Sequence, residues 1–261
     1  ERLPQLKTLL LAAAQAAAAE AGLHGNSGIL ADTTYGQAAL NAITGQGWWI
    51  GRPVELPSSR PLRLEHGNIG SQLIDWPQEH VVKCLVFYHP QDAEALRREQ
   101  DEQIVDVYRG CCKSGHELLL EVILTEGHAD KDESNYLQVM EHFYRLGVLP
   151  DWWKLPPLSA ANWQKVGELI ETHDPFCRGV LILGLDSPQE TLKAGFAAAT
   201  DAHWVKGFAV GRTIFGTSSR LWLQGEIDDA GLVEQVKQKY LTLIGFWRQY
   251  RPQPASKTSR S

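Results

Sequence analysis

Cysteine is scarce in this sequence, and its arrangement excludes two common uses of the residue. The 261 residues include four cysteines, Cys84, Cys111, Cys112 and Cys177. They are too few and too scattered for a disulfide framework, and the adjacent Cys111 and Cys112 fit neither a zinc knuckle nor a CxxC redox pair. We therefore expect reduced core thiols in a cytoplasmic protein.

Long apolar runs and basic clusters are also lacking. The alanine-rich stretch 9–19 is interrupted by Gln15 and is too short to cross a bilayer. The start shows no basic segment leading into an apolar run, so we expect neither a signal peptide nor a membrane partner. A formal charge of −6, with no run of lysine and arginine, argues against nucleic acid as a partner.

Metal-binding patterns are not found among the nine histidines. No HxH or HExxH spacing places two imidazoles on one face of an element. We expect no metal and no cofactor. A metal-dependent enzyme remains as an alternative only if the fold brings His66, His89 and His128 together.

Strand-like and helix-like segments alternate along the chain, which has the 43% hydrophobic content of a protein with a full core. Strands are predicted at 28–32, 48–56, 81–88, 117–124, 151–155, 178–184 and 206–211. Helices are predicted at 3–22, 35–43, 93–114, 134–146, 160–172, 188–200 and 230–250. This alternation predicts an α/β domain over 1–251 with a parallel sheet wrapped by helices, followed by a disordered tail at 252–261.

The parallel sheet is predicted to be a (β/α)8 TIM barrel rather than an open doubly wound sheet. No GxGxxG motif follows an early strand, and the last two strands both end in glycine, as in barrels with a phosphate site there. Only seven strands are found, and the chain opens in a helix. We therefore expect the first barrel strand to be lacking here, and to lie upstream or come from another chain.

Two predicted strands each place one charged side chain among apolar neighbours. In 117–124, the period of two puts Glu121 on the inner face of a barrel, and in 151–155 it does the same for Lys154. Neighbouring strands would bring the two side chains together. A buried lysine near a second cation, such as Lys83, has a lowered pKa and can attack a ketone.

Other interpretations of these charged residues stay open. Glu121 and Lys154 also fit a structural ion pair between strands, and Lys83 also fits a lysine that reaches solvent from the start of its strand. The acidic segment 126–133 after Glu121 is either a solvated loop or a mobile lid.

The last strands suggest an anion site. Gly184 and Gly211 end two successive strands, where backbone amides can approach a phosphate, and Arg212 can grip it with two hydrogen bonds. Asp32 ends the first strand in the chain. It is either a polar group lining the substrate site or a helix cap.

The segments around these residues resemble those of a known group of enzymes. Val81-Val-Lys83, Glu121-Val-Ile-Leu and Trp153-Lys154-Leu-Pro resemble strands of class I aldolases, especially the tagatose-1,6-bisphosphate aldolase family. The segments 28–36 and 207–212 resemble that family's second and last strands. The whole chain also resembles the C-terminal aldolase-like domain of proteobacterial inositol-catabolism proteins, in which a 5-dehydro-2-deoxygluconokinase precedes it.

This resemblance implies a lyase that cleaves 2-deoxy-5-keto-D-gluconate 6-phosphate to dihydroxyacetone phosphate and malonate semialdehyde. It also implies that Lys154 forms the Schiff base, that Glu121 moves protons and that Lys83 assists. Gly184, Gly211 and Arg212 would bind the phosphate. An N-terminal sugar kinase domain is the implied partner, and assembly of identical chains stays open.

The chain departs from that group at its first strand, whose aspartate and further polar residues have no match here. The alternative function is that of a non-catalytic, sugar-phosphate-binding domain that regulates the attached kinase.

Overall fold

Seven strands and nine helices alternate along residues 2–125 and 132–251, which a computed structural model describes. The strands are β1 (Gly28–Leu30), β2 (Trp49–Pro53), β3 (His80–Tyr88), β4 (Leu118–Leu124), β5 (Trp152–Leu155), β6 (Gly179–Leu183) and β7 (Val205–Ala209). The helices are α1 (Arg2–Glu20), α2 (Thr33–Ile43), α3 (Ile69–Leu73), α4 (Glu94–Ser114), α5 (Ser134–Arg145), α6 (Ala160–His173), α7 (Gln189–Ala198), α8 (Arg212–Gln224) and α9 (Asp229–Tyr250). The predicted tail at 252–261 and most of the acidic loop, 126–131, lie outside the described residues.

The strands form one parallel sheet in the order β1 to β7, a nearly closed barrel. This confirms the predicted TIM barrel with one strand lacking. Within the described residues, β1 pairs only with β2 and β7 only with β6. Helix α1 packs against both α9 and α2, so the outer layer of helices is continuous where the ring of strands is open.

Side chains of the central strands alternate between the two faces as predicted. Leu118, Leu120 and Val122 of β4 join the core between sheet and helices, together with Trp153 of β5. On the other face, Trp152 meets Trp49 edge-on inside the barrel, with ring centroids 6.0 Å apart. Because the period of a strand is two, Glu121 and Lys154 also point into the barrel.

The sequence-based assignment was wrong at the end of β7. That strand ends at Ala209, and Arg212 is the first residue of α8, a helix that was not predicted. Its segment is rich in threonine, serine and glycine, which favour helix weakly, so no helical signal stood out. Burial of Ile214 and Trp222 against the rest of the fold holds this helix. The short helix α3 was missed as well.

Candidate active site

Four charged side chains form a ladder across the inner face of the barrel. Lys154 Nζ donates a hydrogen bond to Glu121 Oε1 at 2.9 Å. Lys83 Nζ lies 2.9 Å from Glu121 Oε2 and donates a second hydrogen bond to Glu55 Oε1. From Glu55, just beyond β2, to Lys154 in β5, the groups are therefore carboxylate, ammonium, carboxylate, ammonium.

Strand register explains why these residues meet. Glu121 of β4 stands beside Lys154 of β5, and Lys83 of β3 stands beside Pro53 of β2. Glu55 lies two residues beyond Pro53, so the same alternation brings it to the inner face. The structure thus brings together the three predicted catalytic residues.

The ladder is almost wholly removed from water, and Lys154 is only 7% exposed. Burial lowers the pKa of Lys154 from its ordinary value. The carboxylate of Glu121 opposes this effect, and the ammonium of Lys83 adds to it. An amine with a lowered pKa is available as a nucleophile at a lower pH than an exposed lysine.

The other members of the ladder have shifted pKa values with identifiable causes. Burial alone would raise the pKa of Glu121, but the ammonium groups of Lys83 and Lys154 outweigh it and hold that pKa below its ordinary value. Burial would lower the pKa of Lys83, but the carboxylates of Glu55 and Glu121 raise it. Lys83 is thus a charged, buried group, and the alternative of a solvent-reaching lysine was wrong.

Glu55 was missed by the sequence analysis. Its segment was assigned to a strand, but Pro53 made the register uncertain and no inward face was derived for it. Burial raises the pKa of Glu55, and Lys83 only partly offsets this. The alternation of Trp49, Gly51, Pro53 and Glu55 on one face was the signal that would have identified it.

The predicted anion-binding residues lie on two connected loops. Gly184 directly follows β6, and Gly211 is the N-cap of α8. Thr213 Oγ1 donates a hydrogen bond to the carbonyl of Ser187 at 2.9 Å, which joins the loop after β6 to the start of α8. Arg212 is exposed at the first turn of that helix.

Each of these glycines also has a packing role. A β-carbon at Gly184 would lie 2.9 Å from Cγ1 of Val210, which is too close for any other residue without a shift. A β-carbon at Gly211 would lie 3.2 Å from the ring of Phe215. Close packing accounts for Gly184, whereas a side chain in place of Gly211 would require the ring of Phe215 to shift by only a few tenths of an ångström. Phosphate binding at both positions stays a prediction.

Asp32 is a helix cap. Its Oδ1 accepts a hydrogen bond from the backbone amide of Tyr35 at 2.7 Å at the start of α2. Its other oxygen pairs with Lys7 of α1 at 2.7 Å. Of the two interpretations of Asp32, the structure shows the cap; the predicted contact with substrate is untested.

Clusters of metal-ligating side chains are lacking among the described residues. No group of three or more His, Cys, Asp or Glu side chains there is placed to hold a metal ion. His128, one member of the predicted histidine alternative, lies outside these residues.

No helix in the described part of the chain is long and apolar enough to cross a membrane.

Solved structures with a similar fold include an aldolase. Fructose-bisphosphate aldolase from Plasmodium falciparum, solved in complex with TRAP and a small-molecule inhibitor, has a TM-score of 0.64 and 13% identity, over 95% of this chain and 83% of that chain. Cgl0159 from Corynebacterium glutamicum (Brevibacterium flavum) has a TM-score of 0.59 and 19% identity, over 91% of this chain and 77% of that chain. The protein therefore has an aldolase-like barrel fold.

Its family is defined by sequence. A family model described as "Uncharacterized protein conserved in bacteria (DUF2090)" matches residues 1–251, and the chain belongs to this family. No curated protein matches the sequence.

Proposed function

We propose that the protein is a class I aldolase in which Lys154 forms a Schiff base with a phosphorylated keto sugar acid. The observation that carries this proposal is the buried Lys154 amine, 2.9 Å from Glu121 on the neighbouring strand. A packed barrel interior does not need ionised groups, and burying them is costly. Their placement inside the barrel on neighbouring strands favours chemistry over packing.

The proposed reaction follows from the substrate's carbonyl and the ladder. The neutral amine of Lys154 adds to the C5 ketone of 2-deoxy-5-keto-D-gluconate 6-phosphate, and loss of water gives an iminium ion. The C3–C4 bond then breaks: the C3 hydroxyl loses its proton and becomes an aldehyde, while the bonding electrons form an enamine at C4 and C5. Protonation at C4 and hydrolysis release dihydroxyacetone phosphate and restore the lysine, with Glu121 moving protons in these steps.

The substrate that fits this proposal is 2-deoxy-5-keto-D-gluconate 6-phosphate, which yields dihydroxyacetone phosphate and malonate semialdehyde in myo-inositol catabolism. Support comes from the resemblance of the strands around Lys83, Glu121 and Lys154 to class I aldolases, and from the aldolase-like fold. In this proposal an upstream sugar kinase domain supplies the phosphorylated compound in the cytoplasm.

The experiment that tests the proposal is reductive trapping. The protein is incubated with dihydroxyacetone phosphate and sodium borohydride, and peptides are analysed by mass spectrometry. We expect a stable adduct on Lys154 because borohydride reduces the iminium to a secondary amine. Exposed Lys165 on α6 serves as the internal control for non-specific modification. A protein that binds the ligand without any Lys154 adduct would contradict the proposal.

The second candidate is a non-catalytic, sugar-phosphate-binding domain that regulates the attached kinase. The observation that favours it is the paired state of Lys154, because an ion pair between adjacent strands is also a structural bond. This candidate predicts ligand affinity that survives Lys154→Ala, with no trapped adduct and no cleavage in the unmodified protein.

Substitution of Arg212 tests the anion site. We expect Arg212→Gln to weaken binding of dihydroxyacetone phosphate roughly 10-fold or more, since a charged hydrogen bond contributes about 1.5–3 kcal/mol. Isothermal titration calorimetry measures the affinity. Arg220→Gln is the matched control, because Arg220 is an exposed arginine on the same helix. Equal affinities of the two variants would place the phosphate elsewhere.

A further inference from the structure

Glu55 is held firmly against the neighbouring strand. The amide of Val54 donates to the carbonyl of Lys83 at 3.0 Å, and the amide of Glu65 donates to the carbonyl of Val54 at 2.9 Å. Leu56 is tied to Arg63 by a backbone hydrogen bond of 2.7 Å. The backbone on both sides of Glu55 is therefore fixed, and the position of its carboxylate is set by the fold.

Only one oxygen of the Glu55 carboxylate accepts a hydrogen bond among the described residues. Its Oε1 accepts the hydrogen bond from Lys83, whereas its buried Oε2 has no hydrogen-bond partner among the described residues. A buried carboxylate oxygen without a partner costs stability. Packing alone does not account for a second carboxylate on Lys83, because Glu121 already pairs with that lysine.

Four ionisable groups on β3, β4 and β5 interact electrostatically with Glu55. Lys83 touches it, Glu121 lies on the far side of Lys83, and Lys154 lies beyond Glu121. The thiol of Cys84, fully buried on β3, is the fourth, and burial raises its pKa well above the ordinary value. Lys83 and Glu121 therefore lie between the charge of Glu55 and Lys154.

We propose that Glu55 is a positioning residue, which holds Lys83 between two carboxylates and thereby sets the reactivity of Lys154. The role of Lys154 as nucleophile rests on the proposed function. With Glu55 ionised, the two carboxylates balance Lys83 and a cationic group on Lys154, either the ammonium or the iminium that replaces it. Without the charge of Glu55, the same site carries one excess positive charge in a poorly hydrated interior.

The consequence for Lys154 has a definite sign. The negative charge of Glu55 favours the ammonium form of Lys154 and raises its pKa. Removing that charge should lower the pKa of Lys154 further, so the neutral amine forms at lower pH. At the same time Lys83 turns wholly to Glu121, which makes the Glu121 carboxylate harder to protonate and impairs its proton transfers.

Competitive labelling with acetic anhydride tests this inference without relying on aldolase activity. The extent of Lys154 acetylation is measured by mass spectrometry across pH in the unmodified protein, Glu55→Gln and Glu55→Asp. We expect the midpoint for Glu55→Gln to fall by about one pH unit, the effect of one charge nearby in a partly shielded interior. Glu55→Asp retains the charge and should stay close to the unmodified protein.

Glu65→Gln is the matched control. It removes the same charge from the same loop, but Glu65 accepts a hydrogen bond from Thr34 at 2.7 Å rather than from Lys83. Its Lys154 midpoint should be unchanged. If circular dichroism shows that Glu55→Gln does not fold, Glu55→Met replaces it, because methionine has a similar length and no charge. We expect the same downward shift of its Lys154 acetylation midpoint. An unshifted midpoint in the folded neutral variant overturns the inference.

Borohydride trapping with dihydroxyacetone phosphate on the same samples separates this inference from the proposed function. We expect trapping on Lys154 to decrease roughly 10-fold in Glu55→Gln, with its pH profile moved in the acid direction. A shifted labelling midpoint, with no adduct even in the unmodified protein, would support the role of Glu55 and refute the aldolase. An unshifted midpoint with normal trapping would do the reverse.

Discussion

Replacing Lys154 with methionine is expected to abolish cleavage of 2-deoxy-5-keto-D-gluconate 6-phosphate, with a loss of roughly 10⁴-fold or more, because the covalent route disappears with its nucleophile. Methionine has a similar length and no charge, so it fits the buried position of Lys154. Release of dihydroxyacetone phosphate, followed by a coupled dehydrogenase assay, measures the loss.

The fold of this variant should survive. Methionine leaves Glu121 paired with Lys83, so no carboxylate is stranded in the barrel. Lys165→Met, on the exposed face of α6, is the control and should keep full activity. Cleavage by Lys154→Met at the rate of the unmodified protein would mean that another group performs the chemistry.

Replacing Glu121 with glutamine should reduce both activity and stability. The amide cannot exchange protons at neutral pH, and loss of a general acid–base group typically costs 10²–10⁴-fold in rate. The variant also leaves Lys154 without its carboxylate in a buried site. Breaking a buried ion pair costs about 3–5 kcal/mol, and deprotonation of Lys154 should recover part of it. We therefore expect a Tm lower by roughly 5–10 °C.

Glu117→Gln is the matched control, because Glu117 directly precedes β4, the strand that contains Glu121. Glu117 lies near the opposite end of β4, pairs with Arg178 at 2.9 Å and accepts a hydrogen bond from Trp152, but does not contact the ladder. Its activity should be unchanged. Differential scanning calorimetry and steady-state kinetics of both variants give the comparison. If Glu121→Gln lost stability but kept full activity, the glutamate would be structural.

Much of the site could be predicted because strands impose a strict alternation. In β4 the apolar residues on both sides of Glu121 in sequence face the helices, so Glu121 points into the barrel. The same alternation places Lys154 of β5 on the inner face. Their approach required only that consecutive parallel strands be neighbours, which is the common arrangement. Lys83 was identified because it interrupts the apolar run 81–88, but its ion pairs with Glu121 and Glu55 were not predicted.

The parts that were missed depend on local geometry that composition does not encode. Pro53 obscured the register of β2, so Glu55 was not identified as an inward-facing residue. The many threonine, serine and glycine residues of helix α8 weaken its helical signal, so this helix was not predicted and the preceding strand was extended to Gly211. The role of Asp32 was undecided because an aspartate after a strand can either cap the next helix or line a site.

The sequence by itself determined the alternation of strands and helices, the barrel with one strand lacking, and the inward direction of Glu121 and Lys154. These follow from periodicity and from the glycines that end the last predicted strands, which are local properties of the chain. Only the tertiary structure decided that Lys83 lies between two carboxylates, that Glu55 completes the ladder, and that α1 packs on α9 beside the open strands. Those contacts join segments far apart in sequence, and their geometry is fixed by strand register and helix packing rather than by any local pattern.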